Sequence, residues 1–337
     1  MTGDALTIDE LATRYVAHLR RQDRKKATIT AVESIVKVWL SPFFGERDLR
    51  TVTTKDVEAL MKRMEDGNRP GPRKKGDRRY GKPVGAKTLR NYIGTLSALL
   101  GFAERRGWLA SNVAHRVDLP AAPRHEEIRF LEPDEITALA DAAVEGEYQA
   151  IDRALYLAAA MTGLRQGELI ALRWRDVDWK AARIRVRQNY VLGEFGTPKS
   201  KRSTRSVPMH DLVAGELDRL STASTATAPD DLVFADPHTA GPLDKAAILR
   251  RYRKALKAAR LDEQHRFHDL RHTFGTRMAA AGVPMRTLQE WMGHRDIETT
   301  QRYADYAPSA HEAALVAAAF SQESSSTIVT TADAPGT

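Results

Sequence analysis

The sequence predicts a mainly α-helical protein of two domains, with a small antiparallel β-sheet confined to the second, an α+β arrangement. Three observations carry this expectation. Apolar residues recur at three- and four-residue spacing along most of the chain. Two short stretches, 183–187 and 203–209, instead alternate or carry β-branched residues between helical patterns. A proline-containing segment without apolar periodicity follows the helical first third, in a chain whose 337 residues exceed what one core commonly serves. The resulting division is a first domain at 1–118, a linker at 119–128, a second domain at 129–320 and a tail at 321–337. That tail is rich in Ser and Thr, has no Lys or Arg, and is expected to be disordered.

In the first domain, Thr7 and Glu10 form a capping box ahead of Leu11, Tyr15, Val16 and Leu19, an apolar stripe at helical spacing. Further helices are expected at 28–40, at 54–64 behind the Thr53/Asp56 pair, and at 86–104, where Leu89, Ile93, Leu96 and Leu100 share a face. Between the last two lies Gly67–Arg90, with five glycines, three prolines and nine Lys or Arg against the single acid Asp77; most of it reads as a loop. In the second domain helical patterns occupy 133–143, 150–161 and 166–174, then 212–220 and 245–259. A last helical region runs through 268–320, with breaks at Gly282 and Pro284, at Gly293 and at Pro308.

Composition narrows the function classes. Lys and Arg number 52 against 44 Asp and Glu, a net charge of +8 that attracts polyanions such as nucleic acid. Cysteine is absent, which removes disulfides, thiolate nucleophiles and cysteine-rich zinc sites and points to the cytoplasm. The first twelve residues lack the basic-then-apolar pattern of an export signal, and no stretch approaches the ~20 apolar residues of a membrane span, so no membrane partner is expected.

Two motifs carry chemistry. In Thr162-Gly163-Leu164-Arg165-Gln166-Gly167-Glu168, two glycines bracket an arginine at a turn into a helix, which aims its donors where a phosphate would bind, with Glu168 placed to orient it. In His268-Asp269-Leu270-Arg271-His272, helical spacing brings His268, Arg271 and His272 to one face. His294 follows Gly293, and Tyr303 lies nine residues beyond it. Arginines and histidines gathered this way neutralise a phosphate, and a tyrosine hydroxyl supplies a nucleophile. Taken singly, each has a plainer reading: a surface ion pair, a satisfied polar histidine, a packed tyrosine.

The ordered set of Arg165 in its Thr-Gly-Leu-Arg box, His268-x-x-Arg271, Gly293-His294 and Tyr303 resembles the tyrosine recombinases, which include the phage integrases. The likeness extends over nearly the whole chain. It implies a two-domain DNA clamp, a helical core-binding domain followed by a catalytic domain, and a reaction that breaks and rejoins DNA through a 3′-phosphotyrosine without metal or other cofactor. It further implies that Tyr303 is the nucleophile, that Arg165 and Arg271 clamp the phosphate with Glu168 in support, and that His294 bonds a phosphate oxygen. His268 is the expected general base, and Lys199 the donor to the leaving oxygen, with Lys201 two residues on as the alternative. The partners implied are a double-stranded DNA crossover site, a tetramer of the chain on two such sites, and a directionality factor.

In the first domain, phosphate or base contacts are expected from Arg24, Lys25 and Lys26, from Arg73, Lys74 and Lys75 in the basic loop, and from Lys87, Arg90 and Asn91 at a helix start. The solvated helix face is the competing reading for each. Four alternatives stand beside integration or excision of a mobile element: a Xer-like resolvase of chromosome or plasmid dimers, a type IB topoisomerase, a DNA-binding module without catalysis, and a zinc metalloprotease. The last rests on His268-Asp269-x-x-His272, whose acid is one methylene short of the usual Glu and whose Arg271 would put a cation beside the metal.

Overall fold

The computed structural model describes residues 6–70, 80–121, 128–196, 205–224 and 226–304. Lys199, Lys201, the Arg73–Lys75 run, most of the expected linker, the expected helix at 310–320 and the tail therefore lie outside the described residues. The chain separates into two compact units, Met1–Glu127 and Ile128–Thr337.

The first unit is helical. Helix α1 (Ile8–Arg21) starts at the Thr7/Glu10 capping box and buries Leu11, Val16 and Leu19. Helix α2 (Lys26–Ile35) continues through a widened π-type turn, Val36–Leu40, into the short α3 (Ser41–Phe44), which ends at Gly45 with φ +56°. The run Lys26–Phe44 is 19 residues long with mean hydropathy 1.2, so the expectation that no segment approaches a membrane span in length and apolarity is corrected here. Its Ile29, Val32, Val36, Trp39, Leu40 and Phe44 lie in the core of this unit, as the helix of a globular core would place them. Helix α4 (Thr54–Glu65) begins at a second capping box, Thr53 with Asp56, and the 20-residue α5 (Ala86–Arg105) contributes Leu89, Ile93, Leu96 and Leu99.

The second unit is built around α7 (Gln149–Thr162), which is buried nearly all round because its sequence offers Leu155, Tyr156 and Leu157 beside Ala154, Ala158, Ala159 and Ala160. Small side chains let neighbours approach closely. Around it pack α6 (Pro133–Asp141), α9 (Asp211–Ala223) and α11 (Asp269–Ala280). The remaining helices are the five-residue α8 (Gln166–Ile170), α10 (Lys245–Ala258), α12 (Met285–Met292) and the four-residue α13 (Glu298–Gln301).

Strands β1 (Val177–Asp178), β2 (Arg183–Val186) and β5 (Arg205–Pro208) form an antiparallel sheet in the order β1-β2-β5, with Ile184 opposite Val207 and Val186 opposite Arg205. A second hairpin pairs β3 (Asn189–Val191) with β4 (Glu194–Gly196). This hairpin was not expected, because its strands are three residues long and none of their residues is buried, which leaves no alternation to read.

Asn112 is the polar centre of the first unit. Only 3% exposed, it donates from Nδ2 to the Ser97 carbonyl (2.8 Å), accepts from the Ala114 N–H (3.1 Å) and so joins α5 to the turn at Val113–Arg116. Asn112→Ala leaves those groups unpaired and should lower stability by about 1–3 kcal/mol, read as a lower urea midpoint at unchanged slope.

Candidate active site

The geometry of the site begins at one carboxylate. Arg165 is the residue that caps α8, and Glu168, three positions on, accepts the Arg165 backbone N–H at 2.8 Å and its Nη1 at 3.0 Å. The same carboxylate is held from the other side by Arg205, the first residue of β5. Its Nη1 and Nη2 reach the two Glu168 oxygens at 3.0 and 2.8 Å, with both side chains about 95% buried at relative exposures of 5% and 6%. Burial pushes the Glu168 carboxyl up, but the Arg205 hydrogen bonds and charge, with Arg165 added, more than offset this and hold it at about 2.

Arg205 also ties in the third stretch. Its Nε donates to the Trp291 carbonyl at 2.6 Å, and its side chain lies against Gly293, where any Cβ would stand 3.1 Å from it. Gly293 has φ +62°, so both the left-handed backbone and the space above it call for glycine. The Gly293 carbonyl accepts from Arg165 Nη2 at 3.2 Å. Arg165 is thus fixed at two points while its side chain keeps 42% exposure.

Arg271 is 3% exposed, and its Nη groups donate to the Gly163 and Met292 carbonyls, each at 2.5 Å. It staples the turn before α8 to the turn after α12. Burial and the Arg165 charge pull its pKa down while Glu168 pulls it up; the guanidinium stays charged, because its ordinary value lies far above neutrality. Two of its donors are thus engaged by backbone, leaving its charge and remaining donors.

Tyr303 follows α13 and is 2% exposed. Its ring lies directly over Gly275 of α11, where a Cβ would come within 2.5 Å of Cζ, and it is stacked on His294 at 6.3 Å between centroids and 14° between planes. Its hydroxyl lies 3.0 Å from His272 Nδ1. Sequence reasoning gave the tyrosine proton to His268; the imidazole in hydrogen-bond contact is His272, one turn further along. His268 itself caps α11 at an exposed position, with its ring edge-on to His272 at 5.0 Å.

His294 Nδ1 contacts the hydroxyl of buried Thr300 at 2.9 Å, which leaves Nε2 for a ligand. Desolvation, then the charges of Arg271 and Arg165, pull His294 down to about 3; desolvation of a ring set against His272, then the charges of His272 and Arg271, pull His268 down to about 4 although the residue keeps an exposed side. Both are neutral near pH 7. Burial raises Tyr303, opposed by Arg271, Arg302 and Arg165, so its phenol is protonated there too. Beside Arg165 and His268 opens a cleft of about 580 Å³ whose walls include Lys245, Arg253 and Arg266. Among the described residues no three His, Asp or Glu side chains meet in an arrangement that would hold a metal ion.

Arg205 was missed in the sequence, although a signal was present. Arg205 and Val207 are two apart in a strand and so share a face, and Val207 is fully buried. An inward arginine needs a carboxylate, and Glu168 is the one it finds. Among the residues expected to contact DNA in the first unit, Arg24, Lys25 and Lys26 are exposed at the entrance to α2, and Lys87 and Asn91 are exposed on the first turns of α5. Arg90 departs from expectation: it is half-buried and donates from Nη1 to the Pro120 carbonyl at 2.8 Å, so its guanidinium is folded back onto the chain.

The phage integrase family model matches residues 129–309. A tyrosine recombinase XerC-like protein of Caldanaerobacter subterraneus subsp. tengcongensis is 28% identical over 88% of this chain and 78% of its own. The integrase of Salmonella phage P22 is 31% identical over 68% of this chain and 56% of its own length. Among solved structures, the Tn1549 transposon integrase in complex with a circular intermediate DNA superposes with a TM-score of 0.68 at 21% identity, covering 89% of this chain and 95% of that one. A lambda integrase dimer bound to a core site gives 0.66 at 18% identity, over 90% and 97%. The chain belongs to the phage integrase family. Within it, the protein is a tyrosine recombinase, a DNA strand-transfer enzyme of site-specific recombination.

Two outcomes follow from the charge arrangement. Arg205→Ala strips a buried carboxylate of its bidentate partner and should destabilise the second unit by about 3–5 kcal/mol in urea titration; Arg205→Lys keeps the charge but not the fork and should recover only part of this. The second concerns acid. With His268 and His294 held below the unfolded value near 6.5, the unfolded chain takes up protons first, so stability falls as pH drops from about 6.5 towards 4. Glu168, lowered from its ordinary 4.5 to about 2, keeps nearly all its stabilisation above about pH 5 and loses it progressively as pH falls through 4.5 towards 2. The fall in Tm between pH 7.5 and 5 should shrink in a His268→Gln/His294→Gln variant.

Proposed function

We propose that this recombinase cuts one DNA strand by attack of Tyr303 Oη on a backbone phosphorus. The Oη–P bond forms, the bond from phosphorus to the 5′ oxygen breaks, and the protein is left joined through a 3′-phosphotyrosine. The observation that carries this is the placing of a single buried tyrosine hydroxyl among His272, His294 and the charges of Arg165 and Arg271. Such a set suits a pentacoordinate phosphorus, because fixed cations and neutral imidazole N–H groups meet the developing charge on the non-bridging oxygens without reorganising. Arg165, fixed yet partly exposed, presents donors to the phosphate, and His294 Nε2 meets a second oxygen. Lys199 or Lys201 gives the proton that the 5′ oxygen needs to leave.

No external energy source enters, since the phosphotyrosine conserves the phosphodiester bond for attack by a second 5′ hydroxyl. Exchange between two duplexes needs four cuts, hence four copies of the chain on two sites. The first unit acts as the core-binding domain, with Arg24, Lys25, Lys26, Lys87 and Asn91 on phosphates or base edges; within the second unit, Lys245, Arg253 and Arg266 on the walls of the cleft add positive charge beside Arg165. The Tn1549 and lambda integrases, both solved with bound DNA, support a DNA partner and favour integration or excision of an element. Resolution of dimers is the second reading, favoured by the XerC-like relative.

Tyr303→Phe keeps the ring on Gly275 and removes only the oxygen. On a nicked suicide substrate carrying the crossover site, the wild type should leave labelled DNA on the protein after denaturing electrophoresis, and Tyr303→Phe should leave none while binding the same DNA with unchanged affinity. Persistence of the adduct in Tyr303→Phe would move the nucleophile elsewhere.

A further inference from the structure

Attack by a phenol requires that its proton go somewhere, and α11 determines where. His272 and Gly275 are three residues apart on that helix, so they stand on neighbouring positions of one face. Gly275 gives the Tyr303 ring a seat that any larger residue would fill, and His272 Nδ1 meets the hydroxyl at the end of the ring, 3.0 Å away. Among the described residues no other hydrogen-bond partner reaches Tyr303 Oη. The direction of this bond follows from burial. If Nδ1 carried the hydrogen, the phenolic O–H of a residue 2% exposed would have no acceptor, at the cost of an unmade hydrogen bond. Burial therefore assigns the hydroxyl as donor and His272 as the Nε2–H tautomer, with its Nδ1 lone pair on the phenol.

We propose that His272 is the base that takes the Tyr303 proton during strand cleavage and returns it on rejoining. The proposal rests on Tyr303 being the nucleophile. As the Oη–P bond forms and phosphorus parts from the 5′ oxygen, the phenolic proton passes to Nδ1 and His272 becomes an imidazolium; the leaving oxygen takes its proton from a separate donor. In the reverse step the 5′ hydroxyl attacks and returns its proton to that same separate group, the Oη–P bond breaks, and Nδ1 hands its proton back to Oη.

The surroundings suit the role. Desolvation is the main influence on His272 and keeps the resting imidazole neutral, ready to accept. The groups facing it are Asp269, Arg271 and His268 on its own helix, Arg266 in the loop before it, and Arg302 beside Tyr303. Asp269, 1% exposed, favours the imidazolium, while the arginines oppose it. A bound phosphate brings negative charge beside those arginines and shifts the balance towards a protonated His272 at the moment the proton arrives.

Two variants separate proton transfer from simple holding. Asparagine places its amide oxygen near the position of Nδ1, so His272→Asn still accepts a hydrogen bond from Tyr303 but takes up no proton; His272→Ala does neither. Single-turnover formation of the covalent adduct on the suicide substrate is the readout, with full-length protein at saturating DNA. Both variants should bind DNA as the wild type does and form the adduct about 10²–10³-fold more slowly, as loss of a general base predicts, and added imidazole should restore part of the rate to His272→Ala. Wild-type speed in His272→Asn would make His272 a holding group only, and faster cleavage in His272→Ala would make it a restraint on Tyr303; either overturns the proposal. Should His272→Ala melt below assay temperature, His272→Asn decides alone. A wild type that forms no adduct, or an adduct that survives in Tyr303→Phe, would instead remove the Tyr303 reading, a failure distinct from the two above.

Discussion

The site depends on one buried carboxylate shared by two arginines. Glu168 alone would be costly at 6% exposure, and so would Arg205. Together, with Arg165 as third member, they make a fully engaged network in which both Glu168 oxygens and all three Arg205 nitrogens have partners. Such networks confer geometry more than net stability. This one joins residues 165, 168, 205, 291 and 293, which lie on separate turns and a strand edge, and it keeps the Arg165 guanidinium aimed outward without mobile intermediates. Arg271 repeats the device with carbonyls, gripping the same two turns from beneath.

The second constraint is steric. Packing of Tyr303 on Gly275 on one side and on His294 on the other leaves its ring little freedom about the seat, so the hydroxyl is located by contact as well as by its hydrogen bond. Tyr303, the arginines and the histidines are therefore held in fixed positions relative to one another, the condition under which the proposed reaction would gain most from fixed dipoles.

Much of this was legible in the sequence. The capping box at Thr7 marked the start of α1, and the Thr53 box and apolar stripes placed α4 and α5 to within a residue, because each signal is local. The order of Arg165, His268, Arg271, His294 and Tyr303 pointed to a family because motifs survive in linear order. What local reading lacked were pairings across distance. Nothing near Arg205 in sequence says that its carboxylate is 37 positions earlier, and nothing in His268-x-x-x-His272 says which imidazole will meet a tyrosine 31 residues beyond the second. Helical periodicity put both histidines on one face; only tertiary packing chose between them. The β3–β4 hairpin escaped for a different reason, since strands this short with no buried residue carry no period.

A single helix, α11, carries Arg271, His272 and Gly275 behind the cap at His268. Substitutions along it act one side chain at a time. A one-residue insertion or deletion between 268 and 275 is another matter, because an α-helix turns about 100° per residue, and everything beyond the change would rotate away from what precedes it. The stretch is thus closed to changes of length, whereas the turn at Leu192-Gly193 between two short strands faces no such limit. Descendants of this chain should differ in length at the hairpin and keep the count from His268 to Gly275.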